Sequence, residues 1–246
     1  MNDIQQLIKS IKKGIALLID PEKADDESVL QELLKKADFA GIDFLFVGGS
    51  TVTREQFEHT VHVIKKYSTL PLVIFPGSSQ QLSKDADAIL FLSLISGRNP
   101  DYLIGHQVQS APELFKMNIE VIPTGYILID GASQSSVAYV SQTTPIPRKN
   151  LTIIKHTAMA GILLGHKVIY LDAGSGAKEV VPQEVISTIS ELNVPLIVGG
   201  GIRSANQIRD AHEAGASIVV IGNHIESHLD FLLDIQLYKS IQKLNA

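Results

Sequence analysis

The sequence predicts a (β/α)8 barrel, and three observations carry that expectation. Eight short runs rich in β-branched and aromatic residues recur along the 246 residues. Longer helical patterns separate them. Several of the runs are apolar on both faces, most clearly Ile218-Val219-Val220-Ile221. A strand of that kind is covered on both sides, as in a parallel sheet wrapped by helices. Barrels of about 250 residues form a single domain, so residues 1–246 are read as one unit.

The strands are expected at 16–20, 44–48, 72–75, 88–92, 120–129, 168–172, 196–199 and 218–221. Asp25 and Asp26 can cap a helix that carries Val29, Leu30, Leu33 and Leu34 at helical spacing. Thr53 can cap 55–66, and Ser204 can cap 206–214, with Gly215 as the C-terminal stop. Another helix closes over 188–192, ended by Asn193 and Pro195, and a last one spans about 225–244. The third helical slot, 78–85, is short and polar, so that helix is expected to be missing. Residues 130–150 are rich in Ser, Thr, Gln and Pro, and neither helix nor strand is expected there. Following strand five, this segment is either a lid at the barrel mouth or a surface excursion.

Composition narrows the function classes. The chain carries 21 Lys+Arg against 26 Asp+Glu, a formal net charge of -5. That balance speaks against a nucleic-acid partner but leaves room for a local cationic pocket. Cys is absent, which excludes a disulfide framework, a zinc ribbon and a thiol nucleophile. Residues 1–14 are polar and lysine-bearing, unlike a signal peptide. No stretch approaches the ~18 apolar residues of a spanning helix. The expected location is therefore the cytoplasm. A mean hydropathy of +0.16 is high for a soluble chain and fits buried strands together with an apolar groove.

In this fold the strand ends face the site. Strands six, seven and eight end in Tyr170-Leu171-Asp172-Ala173-Gly174-Ser175-Gly176, Gly199-Gly200-Gly201-Ile202-Arg203-Ser204 and Gly222-Asn223. Glycines let backbone N–H groups close on an anion at a helix N-terminus. Three such ends in succession point to a phosphate site. Strand one ends in Asp20-Pro21, where a carboxylate could ligate a hard cation such as Mg²⁺ or simply cap a turn. Strand two ends in Gly48-Gly49-Ser50-Thr51, whose hydroxyls could add an oxygen ligand or cap a helix. Asp172 could accept a proton from a substrate hydroxyl, and Tyr170 shares its strand phase. The spacing of His224, Glu226 and His228 does not match a zinc motif, and His59 and His62 read as solvent-facing.

These pieces, with Lys23 and Pro123-Thr124-Gly125-Tyr126, resemble the geranylgeranylglyceryl phosphate synthase family, including its heptaprenyl-transferring bacterial relatives. They occur in order from strand one to strand eight. The resemblance implies a prenyltransferase that joins a polyprenyl diphosphate to the C3 hydroxyl of sn-glycerol 1-phosphate and releases diphosphate. It places Mg²⁺ at Asp20 and Ser50. It places the glycerol phosphate at Tyr170, Leu171, Asp172, Ala173, Gly174, Ser175 and Gly176, with Gly200, Gly201, Gly222 and Asn223. Asp172 stands where many members carry Glu, and the glycine loop resembles the family's second group, whose members form dimers or larger assemblies. A homo-oligomer with transient membrane contact is therefore expected.

The prenyl tail needs a dry groove, which strands three and four could border with Leu72, Val73, Ile74, Phe75, Ile89, Leu90, Phe91 and Leu92, although many of these must pack as core. Tyr102, Tyr126 and Tyr139 are candidates for its end wall, and Phe231, Leu232, Leu233 and Leu237 for core or interface. Two other readings stay open: a phosphosugar isomerase or lyase, which needs an opposed acid and base and no metal, and a non-catalytic phosphate-binding barrel.

Overall fold

The computed structural model describes residues 3–222, 225 and 229–244. Eight parallel strands close into a barrel in sequence order: β1 (Gly14–Ile19), β2 (Phe44–Val47), β3 (Leu72–Ile74), β4 (Ala88–Leu94), β5 (Glu120–Leu128), β6 (Val168–Asp172), β7 (Leu196–Gly199) and β8 (Ile218–Ile221). β1 pairs with both β2 and β8, which closes the ring.

Alternation along each strand divides the apolar residues into two layers. Phe44, Phe46, Ala88, Leu90, Ile122 and Val220 fill the interior. Leu45, Val47, Ile89, Leu171 and Val219 point outward into the layer beneath the helices. Residues that end a strand in the inward phase therefore reach the mouth, and Tyr126, Tyr170 and Asp172 do so.

Helices α1 (Ile4–Ser10), α2 (Glu27–Ala40), α3 (Arg54–Tyr67), α4 (His106–Leu114), α5 (Ser136–Val140), α6 (Leu151–Leu163), α7 (Gln183–Ser190), α8 (Ala205–Glu213) and α9 (Phe231–Leu244) complete the chain. Asp26, Thr53 and Ser204 cap α2, α3 and α8 as their positions suggest, Thr53 through a full capping box with Gln56. α1 lies in the segment read only as a polar start. Its Ile4 and Ile8, one turn apart, plug the barrel floor, and the Glu120 carboxylate accepts from Ile4 N at 2.6 Å and Gln5 N at 2.9 Å.

Residues 75–87 join β3 to β4 by turns alone, so the third helix is absent. The 130–150 expectation needs correction. α5 forms inside it because Ser135 caps the turn, accepting from Ala138 N at 3.3 Å, and Val137 and Ala138 pack onto the barrel interior. Ile129 and Ile146 also bridge there. Ile225 is helical, but a turn at 229–230 precedes the last helix, which runs from Phe231. It buries Phe231 and Leu232 while Leu233 and Leu237 stay exposed. His59 and His62 are exposed on α3. His224, Glu226 and His228 lie outside the described residues.

Candidate active site

A cavity of about 260 Å³ opens at the C-terminal end of the barrel. Its floor holds Tyr126, Tyr170 and Asp172. One side is the glycine cup, with Ser175, Gly176, Gly200, Gly201, Arg203 and Gly222. The facing side holds Asp20, Gly49 and Ser50. From there the cavity continues over Leu82, Ile89 and Phe91 to Tyr102, His106 and Gln107.

Asp172 is the most constrained of these groups. It is only 7% exposed. Its Oδ1 accepts from Gly174 N at 2.7 Å, and its Oδ2 accepts a hydrogen bond from the Tyr126 hydroxyl. Burial pushes its carboxyl above the usual aspartate range, while the Tyr126 and Gly174 hydrogen bonds pull it back down. Burial first, and Asp172 second, hold the Tyr126 hydroxyl well above its ordinary range, so it remains a donor. Tyr126 is therefore buried beside Asp172 and does not end the groove. Tyr139 is 71% exposed, and of the three tyrosines only Tyr102 stands on the groove wall.

The glycine cup depends on close backbone approach. Gly200 has φ +87°, and a Cβ there would come within 2.5 Å of Asp172 Oδ1. Arg203 braces the β6 loop, donating to Ala177 O at 2.8 Å, and puts one cationic side chain at the cup. Leu171 and Ala173 are not on the cavity wall. They lie in the outer layer, because Leu171 is in the opposite strand phase to Asp172. Gly174 serves the site through Asp172. Asn223 lies outside the described residues.

Across the mouth, Asp20 Oδ1 accepts from Glu22 N at 3.1 Å and caps a 3₁₀ turn, Pro21–Lys23. A Cβ on Gly49 would lie 2.8 Å from the same oxygen, so the loop carrying Ser50 abuts the carboxylate. Among the described residues there is no group of three or more His, Cys, Asp or Glu side chains able to hold a metal. One carboxylate and one hydroxyl do not cage an ion. They do suit Mg²⁺, which keeps several waters and takes its other oxygens from substrate phosphates.

The apolar arm exists because no helix joins β3 to β4. Ile89 and Phe91 point outward in strand phase and would pack under a third helix. Here they line the cavity instead, together with Leu92, while Phe75 lies on the floor beside Tyr126 and Tyr170. Leu72, Val73, Ile74 and Leu90 are fully buried core. The opposite wall is α4, entered through a π-helical turn at Asp101–Gly105. Sequence reading missed α4, Phe75 as a floor residue, the Tyr126–Asp172 pair and Arg203. A Tyr at the seventh position of β5 carries no sign of an Asp partner 46 residues away, whereas Arg203 is marked by its place directly after Gly199-Gly200-Gly201-Ile202.

No helix among the described residues is long and apolar enough to cross a membrane. Among known proteins, the chain is 50% identical over 231 residues to the geranylgeranylglyceryl phosphate synthase of Flavobacterium johnsoniae, covering 92% of this chain and 95% of that one. It is 48% identical over 219 residues to the one from Zunongwangia profunda, covering 88% and 92%. A crystal structure of the Thermoplasma acidophilum (S)-3-O-geranylgeranylglyceryl phosphate synthase in complex with substrate sn-glycerol-1-phosphate superposes with a TM-score of 0.88 at 32% identity, over 98% of this chain and 97% of that one. An N-acetylmannosamine-6-phosphate 2-epimerase from Clostridium perfringens shares the fold alone, with a TM-score of 0.59 at 12% identity over 93% and 96% of the two chains. The PcrB family model matches residues 8–240, nearly the whole barrel from α1 to α9, and the chain belongs to that family.

Proposed function

We propose that the protein transfers a polyprenyl group, geranylgeranyl foremost, from its diphosphate to the C3 hydroxyl of sn-glycerol 1-phosphate. The products are an ether-linked prenylglyceryl phosphate and diphosphate. The observation that carries this reading is the continuity of the cavity. A glycine cup for a phosphate, a buried carboxylate and an apolar groove share one space. An isomerase or lyase of phosphosugars has no use for the apolar arm. The geranylgeranylglyceryl phosphate synthases identical at 48–50% support the same chemistry.

Each part has a task. The cup holds the glycerol phosphate and aims its hydroxyls at Asp172. Tyr126 and Gly174 N–H fix the carboxylate so that it accepts the C3 hydroxyl proton as the ether bond forms. The groove takes the prenyl tail out of water and aligns C1 with the nucleophile, which is a large share of the rate gain in such reactions. Asp20 and Ser50 would hold Mg²⁺, which when bound offsets charge on the departing diphosphate. A lipid product suits brief contact with a membrane surface. Leu163 and Leu164 at the end of α6, 87% and 77% exposed, suit burial against a second copy of the chain.

The test is an assay with labelled sn-glycerol 1-phosphate and prenyl diphosphates of several lengths, with Mg²⁺ and with excess chelator. Mg²⁺-dependent ether product is expected, and Asp20→Asn should remove most turnover while leaving the circular dichroism spectrum unchanged. Binding of both ligands without product would point to a non-catalytic barrel, and full activity in chelator would remove the metal assignment.

A further inference from the structure

Between the Asp20–Ser50 corner and Asp172 the cavity floor is aromatic. Phe75, Tyr126 and Tyr170 form a mutual cluster. Phe75 stacks on Tyr170 with centroids 5.0 Å apart and planes at 20°. Tyr126 leans on both, at 6.0 Å from Phe75 and 5.3 Å from Tyr170. Tyr126 and Tyr170 are only 5% and 2% exposed, whereas Phe75 is half-buried on the cavity wall. Phe75 is thus the ring of the three that remains open to a ligand.

Its place is tightly set. Phe75 N donates to Val47 O at 2.9 Å. A Cβ on Gly48 would fall 1.9 Å from Phe75 O, so the end of β2 presses directly on this backbone. The same β2 loop carries Gly49, against Asp20, and then Ser50. On the other side Tyr170 leads to Asp172 two residues on. Phe75 is therefore linked through the β2 loop to the corner suited to diphosphate and through Tyr170 to the strand that carries the group suited to the nucleophile.

We propose that the Phe75 ring is a catalytic surface that stabilises the allylic cation as it develops. This rests on the prenyl-transfer reading above. In that reaction the C1–O bond to diphosphate breaks and its electron pair leaves with diphosphate. The C3 oxygen of glycerol phosphate forms the new bond to C1, and its proton passes to Asp172. While the old bond is breaking, positive charge is spread over C1 and C3 of the allyl unit. The face of an aromatic ring is the negative pole of its quadrupole and attracts a cation lying over it. The two tyrosines packed behind Phe75 keep water away from its back, which leaves the attraction poorly screened. A carboxylate at this point would instead trap the cation as an ester, so a π face is the better chemistry for a charge that must move on.

The experiment replaces Phe75 with mono-, di- and trifluorophenylalanine, which keep the shape and progressively weaken the quadrupole, and with cyclohexylalanine, which removes it. Single-turnover rates are measured with sn-glycerol 1-phosphate and geranylgeranyl diphosphate. The rate should fall stepwise along the series, by about 5- to 30-fold at trifluorophenylalanine. Cyclohexylalanine should be at least as slow, and glycerol phosphate affinity should stay unchanged throughout. Equal rates across the series would overturn the proposal and leave Phe75 a shaping residue of the groove. A rate loss tracked by lost glycerol phosphate affinity would overturn it as well, since packing would then be the cause. An absence of turnover by the wild-type chain would instead remove the prenyl-transfer reading, and this proposal with it.

Discussion

The two flanks of the mouth are built by opposite means. On the β6–β8 flank the site is made by short backbone segments that end strands: glycines admit an anion, and Asp172 is held by the hydroxyl of Tyr126 and the amide of Gly174. On the β3–β4 flank the site is made by something left out. The turns of 75–87 replace a helix, so Ile89 and Phe91, outward-facing residues of an ordinary barrel wall, become the lining of a groove. On the proposed reading, one flank would take the phosphate through fixed dipoles and the other would take the prenyl tail on apolar side chains. Substitutions on the two flanks should therefore act on different ligands.

The largest effect is expected at the point where the flanks meet. Asp172→Asn keeps the size and can still accept a hydrogen bond, but it cannot readily take a proton. Turnover should fall about 10²–10⁴-fold while calorimetric affinity for glycerol phosphate changes far less. Near-normal turnover would reduce Asp172 to a loop-shaping residue and send the proton to solvent or diphosphate.

On the groove flank, Phe91→Asp places a charge where the tail must lie. Losing one apolar contact surface of this size corresponds to about 10- to 100-fold in KM for the prenyl diphosphate. Glycerol phosphate affinity should not move. A parallel loss for both ligands would break the comparison, because the flanks would then be one cooperative unit.

On the cup flank, Gly222 is the cleanest probe. Among the described residues, an added Cβ there meets nothing nearer than Leu18 Cβ at 3.7 Å, so the described fold tolerates it. Gly222→Ala should cost about tenfold in glycerol phosphate affinity, read by calorimetry, with the melting temperature unchanged. Gly200→Ala is the contrasting case. Its Cβ would strike Asp172 Oδ1, so it should lower turnover and stability together. Retained affinity in Gly222→Ala would place the phosphate elsewhere.

The smallest effect concerns pH. Burial raises the Asp172 carboxyl, and the Tyr126 hydrogen bond opposes that rise. Tyr126→Phe removes the opposition, so the carboxyl titrates higher still. The ionised, proton-accepting form is then lost earlier as pH falls. The acid limb of the kcat/KM profile should move to higher pH, with the alkaline side little changed. An acid limb that stays in place would mean that Tyr126 does not tune Asp172.

How much of this was legible differs between the flanks for a physical reason. The cup is local in sequence: a strand end, two or three glycines and a helix start lie within about ten residues, and Gly199-Gly200-Gly201-Ile202-Arg203-Ser204 announces itself. The same holds for the caps at Asp26, Thr53 and Ser204, where a side chain bonds an amide two or three residues away. Eight short runs, several of them apolar on both faces, were enough for the barrel, because period and turn chemistry are properties of short windows. The absent helix was also foreseeable from its short polar slot.

What only the tertiary structure decided is long-range. Tyr126 and Asp172 are 46 residues apart and meet because β5 and β6 are paired in a register that sets Tyr126 beside Tyr170. The Phe75 ring reaches the same place from β3 across the barrel interior. Glu120 holds α1 from 115–116 residues away, which no window on the polar first helix contains. α5 formed against the composition of its loop because Val137 and Ala138 found the barrel mouth to pack on. Local sequence set which backbone shapes were available, and closing eight strands into a ring chose which side chains would share a cavity.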